Sequence, residues 1–148
     1  MRPPEVEALS SRLSDGLADL RLDLTDTQRS RLLDYLALIA KWNRVYNLTA
    51  VRDPAEMLVL HLLDSLAVLP ALHRNLGERP VSVLDVGSGA GLPGVVLAIA
   101  LPSASVTCVD TVGKKASFIQ QVAAELKLSN LAARHARVET LDMPPADV

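Results

Sequence analysis

Four glycines and an aspartate lie within ten residues near the middle of the chain. Asp85 precedes Gly87, Gly89, Gly91 and Gly94. Glycine adopts positive φ readily and lets the backbone approach a ligand with no Cβ atom in the way. A carboxylate two residues before the first glycine can favour a cationic group on that ligand. These residue types at this spacing indicate a loop that binds a small molecule.

The segments on both sides of this loop predict the elements that position it. An apolar run at 81–86 precedes the glycines and is typical of a strand buried on both faces of a parallel sheet. The apolar residues 93–100 that follow predict a buried helix. Strand, glycine turn and helix, in that order, form the nucleotide-binding unit of doubly wound α/β folds.

The glycine spacing distinguishes between two classes of nucleotide cofactor. In the dinucleotide fingerprint the third glycine comes five residues after the first. Here the third glycine is Gly91, four residues after Gly87, and Leu92 occupies the fifth position. The pattern D-x-G-x-G-x-G resembles the first motif of class I S-adenosylmethionine-dependent methyltransferases, whose cofactor carries an ammonium that Asp85 can favour. A dinucleotide remains the alternative.

A second carboxylate is predicted at the same edge of the sheet. Residues 104–110 read as the second strand, which ends at Asp110. A carboxylate at this point of such folds hydrogen-bonds the ribose hydroxyls of the cofactor. The alternative role is to cap the helix predicted over 112–127, and one short carboxylate seldom serves both roles. A short third strand is predicted over 131–134.

The first half of the chain is predicted to be helical. Leucines at helical spacing favour an amphipathic helix over 1–24. Thr25 and Gln28 form a capping box that opens a second, longer helix. Asp53 and Pro54 signal a third, which is predicted over 57–69 and followed by a loop at 70–80. The sequence thus predicts a helical cap, residues 1–79, and a sheet domain, residues 80–148.

Basic residues around the end of the second helix are candidates for binding phosphates. Lys41, Arg44 and Arg52 lie within twelve residues of one another. Cations also suit the C-terminal end of a helix dipole, so an ordinary solvated helix end is the alternative. Within the third helix, His61 and Asp64 interrupt an apolar sequence, and a hydrogen-bonded core histidine is the favoured interpretation.

Composition excludes several classes of protein. The 148 residues carry a net charge of -2, which argues against a protein that grips nucleic acid over its whole surface but permits a local basic patch. The single cysteine, Cys108, excludes an internal disulfide and a zinc site built from several cysteines. No apolar run of transmembrane length and no signal peptide are expected, so the sequence predicts a cytoplasmic protein with neither a metal nor a membrane partner.

Several stretches together resemble one family. They are K-W-N-R-V-Y-N-L-T-A-V-R-D-P at 41–54, H-L-L-D-S-L at 61–66, V-G-S-G-A-G-L-P-G at 86–94, D-T-V-G-K-K at 110–115 and A-R-V-E at 136–139. Across about residues 25–142 the chain resembles the small-subunit ribosomal RNA guanine-N7 methyltransferases, also called the glucose-inhibited division protein B family.

The resemblance implies a fold, a reaction and a set of residues. The fold is α/β, a Rossmann-like, doubly wound class I S-adenosylmethionine-dependent methyltransferase with an N-terminal helical cap. The reaction is N7-methylation of a guanine in the 530 loop of 16S rRNA in the bacterial 30S subunit. Lys41, Arg44 and Arg52 would then meet RNA. The resemblance carries cofactor contacts onto Gly87, Leu92, Val138 and Glu139, with Asp110 at the ribose. The glycine loop itself adds Asp85, Ser88, Gly89 and Gly91 to the expected cofactor-binding residues.

Members of the family continue past the position of Val148, through a fourth strand and the methyl-acceptor side of the site. The sequence therefore predicts the first three strands of the sheet, leaves the catalytic residues unknown and makes residues 146–148 the entry to the fourth strand. It also predicts an unpaired edge on the first strand and self-association through it. A non-catalytic fragment that binds cofactor or a partner, and a nicotinamide-dependent oxidoreductase, remain alternatives to an active methyltransferase.

Overall fold

The computed structural model describes residues 3–77 and 79–148. Residues 1 and 2 of the first predicted helix, and residue 78 of the predicted loop, lie outside the described residues. The first helix, α1, spans Pro3–Asp19. It ends before the predicted limit at Leu24 because the chain turns through Arg21, which has a φ of 56°.

The second helix, α2 (Asp26–Tyr46), begins with the predicted capping box. The Gln28 N–H donates to Thr25 Oγ1 over 3.1 Å, and the Thr25 N–H donates to Gln28 Oε1 over 2.8 Å. The Gln28 side chain also donates from Nε2 to the carbonyl oxygens of Ile99 and Ala100, at 3.2 and 3.3 Å. The Gln28 side chain thus joins the start of α2 to the segment at Ile99 and Ala100, far along the chain.

The helical stretch after Asp53 consists of three consecutive segments. The helix α3 (Pro54–Met57) continues as a π-helical segment, Leu58–Leu63, and then as α4 (Asp64–Leu66). The Asp53 side chain accepts the Ala55 N–H at 3.2 Å, so the predicted start signal is confirmed.

A further helix, α5 (Leu69–Leu76), occupies most of the segment predicted as a loop at 70–80, and that prediction is wrong. Pro70 lies in the first turn of α5, where a missing N–H costs no intrahelical hydrogen bond. The proline therefore begins a helix here rather than ending one.

The second half of the chain alternates strands and helices and forms a three-stranded parallel sheet in the order β1-β2-β3. In the register, Val83 lies opposite Val106 and Val106 lies opposite Leu131. This arrangement confirms the predicted α/β, Rossmann-like fold class. The elements are β1 (Ser82–Val86), α6 (Gly94–Ala100), β2 (Ser105–Asp110), α7 (Gly113–Glu125), β3 (Leu131–His135) and a 3-10 turn, Val138–Thr140.

The helices α6 and α7 cover one face of this sheet, and α2 packs against both of them. Consecutive right-handed crossovers in one direction bring both helices to the same face. The prediction that β1 is buried on both faces is wrong: Val83 on one face is buried, whereas on the other face Leu84 is half-buried and Val86 is 54% exposed. Buried residues of the cap and of the sheet belong to one hydrophobic core.

The outer edge of β1 is paired over half its length by the residues at 147–148. The Val148 N–H donates to the Ser82 carbonyl at 3.1 Å, and the Leu84 N–H donates to the Val148 carbonyl at 2.9 Å, which is the pattern of a parallel strand pair. Asp147 Oδ2 accepts the Ser82 N–H at 2.8 Å. The expectation of a wholly unpaired edge is therefore wrong, while the expected strand entry at 146–148 lies where it was predicted.

Among the described residues, one helical stretch, Pro54–Leu76, is long and apolar enough to cross a membrane by length and composition. The expectation that no run reaches this length is wrong by that criterion. A core helix meets the same criterion. In this structure 33% of the most apolar window is buried, and Met57, Leu58, Leu62 and Leu66 lie in the common core.

Candidate functional site

The carboxyl ends of the three parallel strands meet at one edge of the sheet, where ligands bind in folds of this type. A cleft of about 230 Å³ lies there. Four of the predicted cofactor-binding residues line it, namely Gly87, Asp110, Val138 and Glu139. Ser88, Gly89, Gly91 and Leu92 belong to the adjoining loop and are not among its lining residues. The complete lining is Val86, Gly87, Val109, Asp110, Thr111, Ala136, Arg137, Val138 and Glu139.

The first half of the glycine loop faces open space. Gly87 and Gly89 have φ of 72° and 57°, and a Cβ atom added to either would meet no heavy atom within 4 Å. Ser88 between them is buried and donates from Oγ to the Asp85 carbonyl at 2.8 Å. The loop therefore presents bare backbone to the solvent while its serine fastens it to the end of β1.

The second half of the loop is packed against the core. A Cβ atom added to Gly91 would lie 2.4 Å from Val95 Cγ2, and one added to Gly94 would lie 2.4 Å from Cys108 Sγ. The half-buried Leu92 donates its N–H to the Ser88 carbonyl at 3.1 Å and packs against the hydrophobic core. These residues hold the loop in place from behind.

Asp110, at the end of β2, is buried and joins the loop to the next helix. Its Oδ2 accepts the Gly89 N–H at 2.9 Å, and its Oδ1 accepts the Val112 N–H at 2.8 Å just before α7. The N-cap of α7 is Val112 and has no side-chain cap, so Asp110 is not the N-cap; its carboxylate holds the residue before the helix and lines the cleft. A carboxylate has about four lone-pair sites, so two remain for hydroxyl donors.

Asp85 is directed toward the start of α6. Its Oδ2 accepts the Gly94 N–H at 2.9 Å and lies 3.9 Å from Cys108 Sγ. Burial raises the pKa of the Asp85 carboxyl above its ordinary value, and the Gly94 N–H opposes this rise. Burial also raises the pKa of the Cys108 thiol to about 12, so the thiol stays protonated and acts as a small apolar group.

Tyr35 of α2 is a site residue that sequence reasoning missed. It is fully buried, and its phenol donates to the Ala90 carbonyl in the glycine loop at 2.7 Å. Burial first, and then the neighbouring Cys108 and Asp85, raise the phenol pKa well above its ordinary value, so it remains a donor. Tyr35 occupies an apolar face at helical spacing, and nothing in the sequence distinguishes it from a packing residue.

Asn43 organises the turn that follows α2. Its Oδ1 accepts the N–H groups of Leu48 and Thr49, at 2.8 and 3.0 Å, and its Nδ2 donates to the Thr49 carbonyl at 3.0 Å. Thr49 Oγ1 in turn lies 2.9 Å from His61 Nε2. His61 is therefore a hydrogen-bonded structural residue, as favoured from the sequence, while Asp64 is exposed.

The three predicted RNA-binding cations lie on the surface near this turn. Lys41, Arg44 and Arg52 are all exposed, and Lys41 Nζ lies 5.3 Å from the centroid of the Trp42 ring. Trp42 stacks near Tyr46, with ring centroids 5.8 Å apart. Tyr46 also contacts Phe118 of α7, with ring centroids 6.2 Å apart. Aromatic contacts thus connect the basic end of α2 to the helix that follows Asp110.

The described residues include no cluster of metal-ligating side chains. Within residues 3–77 and 79–148, no group of three or more His, Cys, Asp or Glu side chains could hold a metal ion. The acidic groups of the site, Asp85 and Asp110, accept backbone N–H groups instead.

Comparison with known proteins supports the same family. Residues 28–148 match the family model described as rRNA small subunit methyltransferase G. A Methylibium petroleiphilum protein called ribosomal RNA small subunit methyltransferase G is 57% identical over 146 residues, which cover 99% of this chain and 66% of that protein. Proteins of the same name from Leptothrix cholodnii and a Polaromonas species are 59% and 62% identical.

The matches extend over most of this chain but over less of its relatives. The Leptothrix alignment covers 90% of this chain and 61% of that protein, and the Polaromonas alignment covers 87% and 59%. The chain thus spans roughly three-fifths to two-thirds of the length of these relatives. The open glycine loop, the acidic strand end and the matched residues agree, and the chain belongs to the rRNA small subunit methyltransferase G family.

Proposed function

We propose that this chain binds S-adenosylmethionine at the edge of the sheet and serves the methylation of small-subunit ribosomal RNA. The observation that carries the proposal is the open backbone at Gly87 and Gly89 beside the buried carboxylate of Asp110. A Cβ atom would fill this cradle, and glycine leaves it free. The names of the relatives supply the RNA substrate class.

The residues of the cleft fit the parts of this cofactor. Asp110 has lone pairs left for the two ribose hydroxyls after accepting two backbone N–H groups. Val138 and Glu139 lie on the far side of the same cleft, where they would flank the adenine. Asp85, held below the loop by Gly94, would favour the ammonium of the methionine part.

The finer proposal is that the target is the N7 atom of a guanine in the 530 loop of 16S rRNA. When bound, S-adenosylmethionine supplies a methyl group that a nitrogen lone pair can attack. Guanine N7 has such a lone pair, so the chain needs no general base, and its task is to hold the base and the cofactor in line. Lys41, Arg44 and Arg52 would bind the RNA phosphates, and the protein would act on 30S subunits in the cytoplasm.

Binding and methyl transfer can be measured separately. Titration calorimetry should show binding of S-adenosylhomocysteine and none of NADH; the reverse result would favour an oxidoreductase and overturn the proposal. Incubation with radiolabelled S-adenosylmethionine and unmethylated bacterial 30S subunits should label the 16S rRNA. Binding of cofactor without any labelling would favour a cofactor-binding module over an active enzyme.

The variant Asp110→Ala tests the ribose contact. Loss of two hydrogen bonds, each worth about 0.5–1.5 kcal/mol, should weaken S-adenosylhomocysteine binding about tenfold or more. The matched control is Asp142→Ala, an acidic residue outside the cleft lining, which should bind as tightly as the unmodified chain. Unchanged affinity of Asp110→Ala would remove Asp110 from the binding site.

A further inference from the structure

Two segments of this acidic chain contain cations and no acids. Residues 35–52 include Lys41, Arg44 and Arg52 and no Asp or Glu, and residues 111–124 include Lys114 and Lys115 and no Asp or Glu. The whole chain has a net charge of -2. Five of its fifteen basic residues are therefore concentrated in two stretches that are far apart in the sequence.

The fold brings these two stretches together. Tyr46, in the last turn of α2, contacts Phe118 in α7, with ring centroids 6.2 Å apart. Phe118 follows Lys114 by four residues and Lys115 by three, so these lysines lie about one helical turn, roughly 5.4 Å, from the contact. Along α2, Arg44 lies two residues and Lys41 five residues before Tyr46, about 3 and 7.5 Å along the helix axis.

The lysines of α7 lie in its first turn, close to the edge of the sheet that carries the cleft. Side chains of a helix lean toward its N-terminus. The N-terminus of α7 follows Thr111, which lines the cleft. Lys114 is exposed and Lys115 is half-exposed. The two lysines thus lie three and four residues after Thr111, and both reach solvent.

Their position in the helix is unfavourable for stability. The first turn of a helix carries a partial positive charge that disfavours cations. Neither lysine forms an ion pair within the part of the chain that the structure describes, where Arg29 and Arg79 have such partners. Their placement is therefore not offset by an ion pair among the described residues.

We propose that Lys114 and Lys115 extend the RNA-binding surface from the helical cap to the sheet domain, and that Lys41, Arg44, Lys114 and Lys115 form one phosphate-binding strip beside the cofactor cleft. This inference rests on the proposed function. The strip spans two elements that the aromatic contact holds together, so an RNA backbone on it passes directly beside the glycine loop.

The test is the salt dependence of RNA binding. The Kd for a 16S rRNA transcript is measured at several salt concentrations for the unmodified chain and for the double variant Lys114→Gln, Lys115→Gln. Removal of one phosphate contact should lower the slope by about 0.7–0.9, so removal of both should lower it by roughly 1.5. The matched control is Lys127→Gln, an exposed lysine just past the other end of α7, which should leave the slope unchanged.

Two further measurements distinguish the possible results of this test. Lys114→Arg with Lys115→Arg keeps both charges and should restore the slope, which a purely structural role of the lysines would not require. S-adenosylhomocysteine affinity should be unchanged in every variant, which also shows that each is folded. If the double glutamine variant has the same salt dependence of RNA binding as the unmodified chain, the phosphate-binding strip is wrong and the proposed function still stands. If the unmodified chain does not bind RNA, the proposed function is wrong.

Discussion

The two halves of the glycine loop look alike in the sequence and differ in the structure. Gly87 and Gly89 face open space, whereas added Cβ atoms at Gly91 and Gly94 would lie 2.4 Å from core side chains. The first pair is suited to a ligand and the second pair to packing. One residue type thus serves two physical needs within eight residues, and substitutions can separate them.

The largest effect is expected from Gly94→Ala. The added Cβ would lie 2.4 Å from Cys108 Sγ and 2.8 Å from Asp85 Oδ2, which are too close for any real contact. Overpacking of this kind costs typically about 1–3 kcal/mol. Urea unfolding should show a loss of that size. Gly113→Ala is the matched control and should lose less stability. Gly113 also begins a helix, and a Cβ atom added there would lie 3.3 Å from its nearest neighbour, the His135 ring.

A second substitution sharpens this result. Cys108→Ala removes the nearest sulfur atom, so the double variant Gly94→Ala, Cys108→Ala should regain part of the missing stability. A double-mutant cycle measures this coupling directly. Strictly additive losses would show that the sulfur contact does not limit the space at Gly94.

Gly89→Asn should have the opposite profile, with a large effect on binding and a small one on stability. Asn tolerates the left-handed conformation that the φ of 57° requires, and the added Cβ meets no atom within 4 Å. Its side chain would fill the cradle instead. We expect S-adenosylhomocysteine affinity to fall by about tenfold, equal to about 1.4 kcal/mol. Calorimetry that shows unchanged affinity would mean that the open half does not face the ligand.

Tyr35→Phe should loosen the packed half of the loop from behind. It removes the 2.7 Å hydrogen bond to the Ala90 carbonyl, which contributes about 1 kcal/mol. Both the free energy of unfolding and the cofactor affinity should decrease, because the same bond positions the loop. Tyr46→Phe on the same helix keeps its ring contacts and serves as the control. Equal behaviour of the two variants would contradict a special role for Tyr35.

The smallest expected effect is on the pH dependence of stability, to which Asp85 contributes. Burial raises the pKa of this carboxyl in the folded protein, so it contributes stability below its unfolded pKa of about 3.9, and that stability is lost as pH rises through the folded pKa. Asp85→Asn cannot ionise. Its stability relative to the unmodified chain should therefore increase between acidic and neutral pH, as measured by urea unfolding at each pH.

Asp147→Asn gives the contrasting case for this measurement. Hydrogen bonds from the Ser82 N–H and from Arg79 lower the pKa of the Asp147 carboxyl. A lowered pKa contributes stability above the unfolded value that is lost as pH falls, so this variant should lose relative stability between acidic and neutral pH. The same trend in both variants would show that burial does not control the Asp85 titration.

Local signals in the sequence predicted the elements that depend on neighbouring residues. The Thr25–Gln28 capping box and the Asp53–Pro54 start both lie where they were predicted. Asp110 was expected at the end of the second strand, and it lines the cleft there. These features could be predicted because a cap or a strand end is determined by a few adjacent side chains.

Features that depend on distant contacts could not be predicted. The segment at 70–80 was expected to be a loop between the helical cap and the sheet domain, yet Pro70 lies in the first turn of α5. The role of Tyr35 depends on the carbonyl of a residue 55 positions away. Likewise the separation of the glycines into open and packed pairs depends on Cys108 and Val95, which the loop sequence does not specify.

The helix α2 holds both flanks of α6. Tyr35 binds the Ala90 carbonyl just before α6, and Gln28 binds the carbonyls of Ile99 and Ala100 at its end. The seven-residue α6 is far too short to persist alone in water. The cap thus fixes both ends of the helix behind the glycine loop, and we expect the two halves of the chain to unfold in one cooperative transition. If the two halves were separated, we expect that neither would keep the glycine loop in its present conformation, because the hydrogen bonds from Tyr35 and Gln28 would be lost.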